Sequence, residues 1–268
     1  MDLGLKNRVA MVTGASQGIG RAIAFALGAE GAALALCSRT EKAIKETAQD
    51  ISSRYGVKVH AQAQDLTKPD AIKSFVNGAK AALGRIDILV NNVGGGVTKS
   101  FDELSEKDWQ EAFEKNLWVA LRCCRAVLPM MKAQGTGKVI NIAALSGKVP
   151  RRGQIGSNVT KAALINLTES LACEMGSYGI RVNAICPAAI LTPRWEERVR
   201  KVAQEKGQEY DKTLKELARA QIPAGRFGTP EDVAALAVFL ASDKSGFING
   251  VSIEVDGGIG RSIALDIK

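Results

Sequence analysis

The sequence predicts an α/β fold: one doubly wound parallel sheet of about seven strands, with helices on both faces. Three observations carry this. Short apolar runs of strand length alternate with stretches of helical periodicity through almost the whole chain. The first run stops at Thr13 and Gly14, then passes through Gly18 and Gly20 into a helix. With 268 residues and no Pro- or Ser-rich linker, the chain fits one domain over residues 1–268 better than two.

Val9, Ala10, Met11 and Val12 are the pattern of a buried strand, and Ala22, Ile23, Ala26 and Leu27 recur at helical spacing over residues 21–30. A strand, a glycine turn and a helix start make a cradle for phosphate. The helix offers free N–H groups and a partial positive charge, and glycines let the backbone approach. This Rossmann-like corner is spaced G-x-x-x-G-x-G, not the commoner G-x-G-x-x-G.

The remaining elements follow in order. Residues 32–37 form a second strand and 40–54 a helix, with Thr40 placed to cap it. Residues 58–63 are a third strand, 68–83 a helix and 86–91 a fourth strand. A long helix spans 106–133, interrupted around Asn116. A fifth strand at 138–143, a helix at 156–178 and a sixth strand at 181–186 come next. Thr229-Pro230-Glu231 opens a helix over 229–241, and 251–255 is the last strand. Residues 193–222 stand out as a charged helical segment within the domain.

Composition narrows the function. Lys and Arg exceed Asp and Glu by 36 to 28, yet the charges are interleaved, with no basic block and no aromatic interleaving. That argues against a nucleic-acid surface and favours anionic small molecules. No apolar run is long enough to span a bilayer and no secretory signal is evident, so no membrane partner is expected. The five cysteines, odd in number and without C-x-x-C, read as buried thiols of a cytoplasmic protein. One histidine, His60, falls on a strand, so neither a Ser–His–Asp triad nor a multi-histidine metal site is available.

The second strand ends at Cys37-Ser38-Arg39. An NAD site usually places an acid there for the ribose 2′-OH. Ser38 and Arg39 suit a 2′-phosphate, so NADP(H) is favoured over NAD(H). The alternative is that Arg39 is a solvated residue opening a helix.

At this point the chain resembles the short-chain dehydrogenase/reductases over nearly its whole length. Thr13-Gly14-Ala15-Ser16-Gln17-Gly18-Ile19-Gly20 matches that family's cofactor turn, and Asp65-Leu66 its adenine-contacting pair. Asn91-Asn92-Val93-Gly94 matches its NNAG, with Val93 for Ala. Asn116 falls at its mid-helix asparagine, and Arg181-Val182-Asn183 and Val255-Asp256-Gly257-Gly258 are further signatures. The resemblance implies a nicotinamide cofactor contacted by Gly14, Ser16, Gln17, Gly18, Ile19, Gly20, Ser38, Arg39, Asp65, Leu66, Asn91, Val93 and Gly94. Pro187, Ile190 and Thr192 belong to the same set, with Lys161 on the nicotinamide ribose. A homotetramer or homodimer is also implied.

The resemblance implies catalytic Ser, Tyr and Lys with Asn, and here the sequence departs. The Y-x-x-x-K segment reads Ser157-Asn158-Val159-Thr160-Lys161, and the serine position is Ala144. The Pro-Gly after the sixth strand is Pro187-Ala188. A tyrosine titrates near ~10 and a nearby lysine lowers it, which suits a proton donor to a developing alkoxide. Serine is a far weaker acid and too short to take its place. Candidate proton carriers are Lys161 through a water, with Asn116, Ser157 and Ser146; Tyr210, in the covering segment, is a more remote one. Lys148, Arg151 and Arg152, with Arg194, Trp195, Arg198 and Arg200, suggest a polar or anionic small-molecule substrate, against the alternative of ordinary solvated charge. Three readings stay open. The first is NADP(H)-dependent carbonyl/alcohol chemistry with a rebuilt proton relay. The second is another reaction on the same scaffold, either conjugated alkene reduction or hydrolysis or C–C cleavage with Lys161 or water as base. The third is NADP binding without catalysis.

Overall fold

The computed structural model describes residues 2–96 and 98–261; the predicted 1–268 span runs beyond them at both ends. Seven strands form one sheet in the order β3-β2-β1-β4-β5-β6-β7, and every neighbouring pair is parallel. The strands are β1 (Val9–Thr13), β2 (Ala33–Ser38), β3 (Val59–Ala63), β4 (Ile88–Asn91), β5 (Gly137–Ile142), β6 (Ile180–Pro187) and β7 (Ser252–Val255).

Alternation along the strands divides the core between the two faces. In β1, Ala10 and Val12 point to one face and Met11 to the other; in β2, Leu34 and Leu36 oppose Ala35 and Cys37. The first face is covered by α1 (Gly18–Ala29), α2 (Glu41–Tyr55) and α9 (Pro230–Ala241), through Ile23, Leu27, Ile44, Ile51, Val233 and Val238. The second is covered by α3 (Pro69–Leu83), α5 (Val119–Gln134) and the end of α6 (Ile155–Met175), through Phe75, Val127, Met131 and Met175. Both faces are thus dry, which is why the central strands read as continuous apolar runs.

Chain order reverses between β1 and β4. Strands β2 and β3 extend one way from β1, and β4 to β7 the other. The carboxyl ends of β1 and β4 therefore diverge into a crevice, the place where open α/β sheets take ligands. A short helix, α4 (Glu106–Phe113), is joined to α5 by a π-helical turn at Glu114–Trp118 that carries Asn116. This is the interruption expected in the long helix. The charged segment forms two helices packed on each other, α7 (Pro193–Lys206), whose first turns line the crevice, and α8 (Tyr210–Gln221). They carry their own small core of Val199, Ala203, Ala218, Ile222 and Phe227.

Local expectations are corrected at several points. Thr40 sits at the N-cap of α2, but its side chain makes no capping bond; the Ser38 hydroxyl donates to the Thr40 carbonyl at 3.2 Å. The fourth strand starts at Ile88, because Asp87 turns inward to accept from the Val9 N–H and from Arg85. The helical stretch predicted to run to Tyr178 ends at Met175 and tightens into a 3₁₀ turn. Four cysteines are buried as expected, while Cys173 is exposed on α6.

Candidate active site

The crevice is a cleft of about 770 Å³ that runs across the carboxyl ends of β1, β2, β4, β5 and β6. One end is built by the first turn of the chain. Gly14 takes a left-handed φ of 66°, which turns the backbone sharply out of β1. Gly20 sits behind it, and a Cβ there would overlap the Gly14 carbonyl and the Asn92 amide. The Asn92 side chain donates to the carbonyls of Thr13 and Gly14, both at 3.1 Å. The Thr13 hydroxyl accepts from Asn92 N–H at 2.9 Å. These bonds lock the end of β4 to the turn after β1.

The first turn of α1 contains no acidic residue, and its N-cap, Gln17, makes no side-chain capping bond. Gly14, Ser16, Gln17, Gly18 and Ile19 line the cleft at this point. A turn that a Cβ would fill, opening onto a helix start without a side-chain cap, fits a dinucleotide pyrophosphate. Further along lie Ser38, Arg39, Asp65 and Leu66, as expected. Partial burial by itself would raise the Asp65 carboxyl. Its hydrogen bonds from Thr67 and the nearby Arg39 and Lys68 cations together hold it below its usual value.

Val93, Gly94, Lys161, Pro187, Ile190 and Thr192 also line the cleft. Two members of the predicted set do not. Gly20 packs behind the turn. Asn91 is buried beneath the floor, where its amide donates to Asn141 at 2.9 Å and to the Cys124 sulfur at 3.4 Å. Asn91 thus ties β4 to β5, and its neighbour Asn92 faces the cleft instead. The sequence signal for that was the double asparagine itself: adjacent residues at a strand end point to opposite faces.

The other end of the cleft holds the candidate catalytic groups. Asn116 is wholly buried behind the loop after β4. It accepts from Gly95 N–H at 2.9 Å and donates to the Gly95 carbonyl at 2.8 Å and to the Thr160 hydroxyl at 3.0 Å. It therefore holds a backbone segment in place, without lining the cleft. Lys161 is buried in the floor, with Nζ donating to the Ile142 carbonyl at 2.7 Å. Burial pushes its ammonium down to about 8. A Cβ at Gly94 would stand 3.0 Å from both Asn116 Oδ1 and Lys161 Nζ, so these two groups converge on that peptide. Ser157, Ala144 and Ser146 line the same end, and Ser157 packs beside Gly96.

The predicted basic residues separate into two groups. Arg151, Arg194 and Arg198 line the cleft together with Trp195. Lys148 instead turns to β7 and bonds the Ser252 carbonyl and Glu254. Arg200 pairs with Glu196. Arg152 belongs to a neighbouring cavity of about 780 Å³, which shares Thr98, Ser146 and Arg151 with the cleft. Tyr210 is packed in the core of the cover with Trp195 and Leu214 and does not line the cleft. Two contacts had no sequence signal: Arg194 donates to the Gly96 carbonyl, and Arg198 to the Thr98 hydroxyl at 3.2 Å. They bridge α7 to a loop some 100 residues earlier. Among the described residues, no cluster of His, Cys, Asp and Glu is placed to hold a metal, and no helix is long and apolar enough to cross a membrane.

Fold and cleft together define a dinucleotide-binding α/β enzyme. Comparison with known proteins gives the family. Residues 14–260 match the sequence model described as enoyl-(acyl carrier protein) reductase. YvrD, an uncharacterised oxidoreductase of Bacillus subtilis, is 37% identical over 98% of this chain and its own full length. The 3-oxoacyl-[acyl-carrier-protein] reductase FabG of Aquifex aeolicus is 34% identical over 97% of this chain and all of its own. L-sorbose reductase from Gluconobacter frateurii, solved with NADPH and L-sorbose, superposes with a TM-score of 0.95 at 35% identity, covering 98% of this chain and 100% of that one. The chain belongs to the short-chain dehydrogenase/reductase family, a family of NAD(P)H-dependent oxidoreductases.

Proposed function

We propose that this protein is an NADP(H)-dependent oxidoreductase that interconverts a carbonyl and an alcohol, with its proton carried by Lys161 instead of a tyrosine. The supporting observation is the floor of the cleft. Lys161 is the buried cation there, its ammonium lowered to about 8. No tyrosine occurs among the described residues that line the cleft. A lysine so placed gives and takes a proton near working pH, as a general acid must.

Ser38 and Arg39, without an acid at that strand end, support the 2′-phosphate form of the cofactor. NADPH is also bound in the L-sorbose reductase complex. A second structural neighbour, YwfH, is an NADPH-dependent reductase and superposes with a TM-score of 0.89 at 32% identity. The residues that would hold the dinucleotide are the Gly14–Ile19 turn for pyrophosphate, Ser38 and Arg39 for the 2′-phosphate, and Asp65 and Leu66 for adenine. When bound, that group supplies hydride transfer. Lys161 keeps a proton at Nζ and relays it through a water to the alkoxide oxygen. The Ser157 and Ser146 hydroxyls, on the same wall, donate hydrogen bonds toward that oxygen. Asn116 positions the Gly95 peptide and so the loop that closes this end. Self-association as a homotetramer or homodimer in the cytoplasm belongs to the same reading; exposed Trp118 and Phe247 support an oligomer.

A second reading is conjugated-alkene reduction, where hydride goes to the β-carbon and the proton ends on the α-carbon, so the net reaction does not protonate the oxygen. The absence of a tyrosine among the described cleft residues and the description of the matching sequence model both favour it. Both readings meet one experiment. The purified protein is titrated with NADPH and NADH by calorimetry, then assayed for NADPH oxidation on ketones and conjugated enones with products identified. Lys161→Ala is expected to lower kcat by about 10²–10⁴-fold. Carbonyl reduction in the native protein should fall as pH rises through about 8, as Lys161 loses its proton, and alcohol oxidation should rise. Failure to bind either cofactor would overturn the proposal.

A further inference from the structure

We infer that Arg194 and Arg198 form a carboxylate clamp, and that the substrate is a carbonyl acid, a compound bearing a carboxylate beside its reducible group. The inference rests on the carbonyl-reductase reading above and names the substrate class for the same site.

The two arginines stand four residues apart at the start of α7, on one helical face. Both line the cleft at the end where Ser157 and Lys161 lie. Their acceptors are neutral: the Gly96 carbonyl for Arg194 and the Thr98 hydroxyl for Arg198. Neither takes part in a salt bridge among the described residues. Of the other cations of the region, Lys99 is paired with Asp108, Lys115 with Glu111, Lys148 with Glu254 and Arg200 with Glu196, while Arg151 joins the two arginines in the cleft with no salt bridge among the described residues. The carboxylates that line this end, Asp108 and Glu111, are those held by Lys99 and Lys115. Two like charges facing one cleft without a counter-ion repel each other, and each guanidinium offers a planar fork of donors.

The surroundings sharpen this. The Arg198 guanidinium carbon lies 5.2 Å from the centre of the Trp195 ring, which restricts the guanidinium on the cover while it donates to the Thr98 hydroxyl. Arg151 lines the cleft from the loop after β5. Arg194 and Arg198 also bridge the cover to the loop after β4, which Asn116 fixes through Gly95. A bound carboxylate competes with Gly96 and Thr98 for these donors. A charge-assisted bond is about twice as strong as a neutral one, so the anion replaces the neutral acceptors and is drawn against the cover.

The test uses matched acid and ester pairs: acetoacetate with methyl acetoacetate, and levulinate with methyl levulinate. Calorimetric titration with NADPH comes first; no binding there refutes the reductase reading itself. Binding of 3-hydroxybutyrate and its methyl ester to the NADP⁺-loaded protein is measured next, and kcat/KM for each acid and ester where turnover occurs. In the native protein the acid is expected to exceed its ester by about tenfold to a hundredfold, the worth of a hydrogen bond to a charged group. In Arg194→Gln and Arg198→Gln that ratio should fall toward one, and Arg194→Lys should restore part of it. Arg200→Gln, outside the cleft, should keep the native ratio. Equal affinity for acid and ester in the native protein would overturn the clamp. So would a ratio that survives both Gln substitutions in variants whose melting temperatures show them folded.

Discussion

The two ends of the cleft are built on different principles. The nucleotide end is made of backbone. Its shape comes from the left-handed turn at Gly14, the space at Gly20 and the uncapped start of α1, with Asn92 bonding the turn in place. The other end, the proposed chemical end, is made of a few side chains carried on that frame: Lys161, Ser157, Ser146 and the two α7 arginines all line it. Substitution at the first end damages the fold as well as the site. Substitution at the second changes the chemistry and leaves the sheet standing. Ala144 follows β5 and Ser157 lies in the first turn of α6, and both elements are regular there.

Rebuilding the chemical end puts that division under the greatest strain. The double substitution Ala144→Ser and Ser157→Tyr restores a phenol next to Lys161. Carbonyl reduction is expected to rise about 10²–10⁴-fold, the usual contribution of a placed general acid. NADPH affinity by calorimetry should stay within a factor of about two if the two ends are independent, since uncoupled sites add to within about 0.3–0.5 kcal/mol. No change in any activity would show that the proton route avoids both positions.

The opposite substitution attacks the nucleotide end. Gly20→Val drives a branched side chain into the Gly14 carbonyl and the Asn92 amide. Overpacking against backbone is expected to cost about 3 kcal/mol in stability. Thermal unfolding and NADPH titration should fail together, because the turn is both scaffold and binding surface. Retained stability with lost binding would contradict the account of this end.

Arg39 tests the same end more gently. It lines the cleft from an exposed position. Arg39→Gln is expected to weaken NADPH by about tenfold to a hundredfold relative to NADH, the value of a charged hydrogen bond to phosphate. Competition calorimetry with the two cofactors reads the ratio. An unchanged ratio would leave Arg39 a solvated residue and shift the 2′-phosphate assignment elsewhere.

How much of this was legible in the sequence follows the same division. Apolar runs marked the central strands because both of their faces are buried, whereas the half-buried edge strands β3 and β7, which carry His60, Gln62, Ser252 and Glu254, were legible from alternation and their place in the chain order. The break at Asn116 was legible and proved to be a π-helical turn. Glycine spacing located the cradle, since only a residue without Cβ fits at Gly14 and Gly20. What was not legible depended on side-chain direction and long-range contact. Motif matching placed Asn91 at the cofactor, but pleat parity put it under the floor, paired with Asn141. Lys148 looked like a substrate ligand until the fold set it 2.9 Å from Glu254, 106 residues away. The contacts of Arg194 and Arg198 with the Gly96–Thr98 stretch join segments about 100 residues apart, beyond the reach of any local pattern.

The mildest outcome is expected where neither end is touched. Thr229 opens α9 with a capping box: its hydroxyl accepts from Asp232 N–H, and the Asp232 carboxylate accepts from Thr229 N–H at 2.7 Å. Arg226 and the Thr229 N–H hold the Asp232 carboxyl down to about 2. Helix α9 packs its Val233, Ala237 and Val238 into the same core as α1, behind the cradle. Thr229→Ala removes one half of the box and is expected to cost about 1 kcal/mol, visible as a lowered melting temperature. NADPH affinity should not follow, because the cradle is held from its other side by Asn92. If it does follow, α9 helps to set the position of α1, and the nucleotide end extends through the core to the back of the sheet.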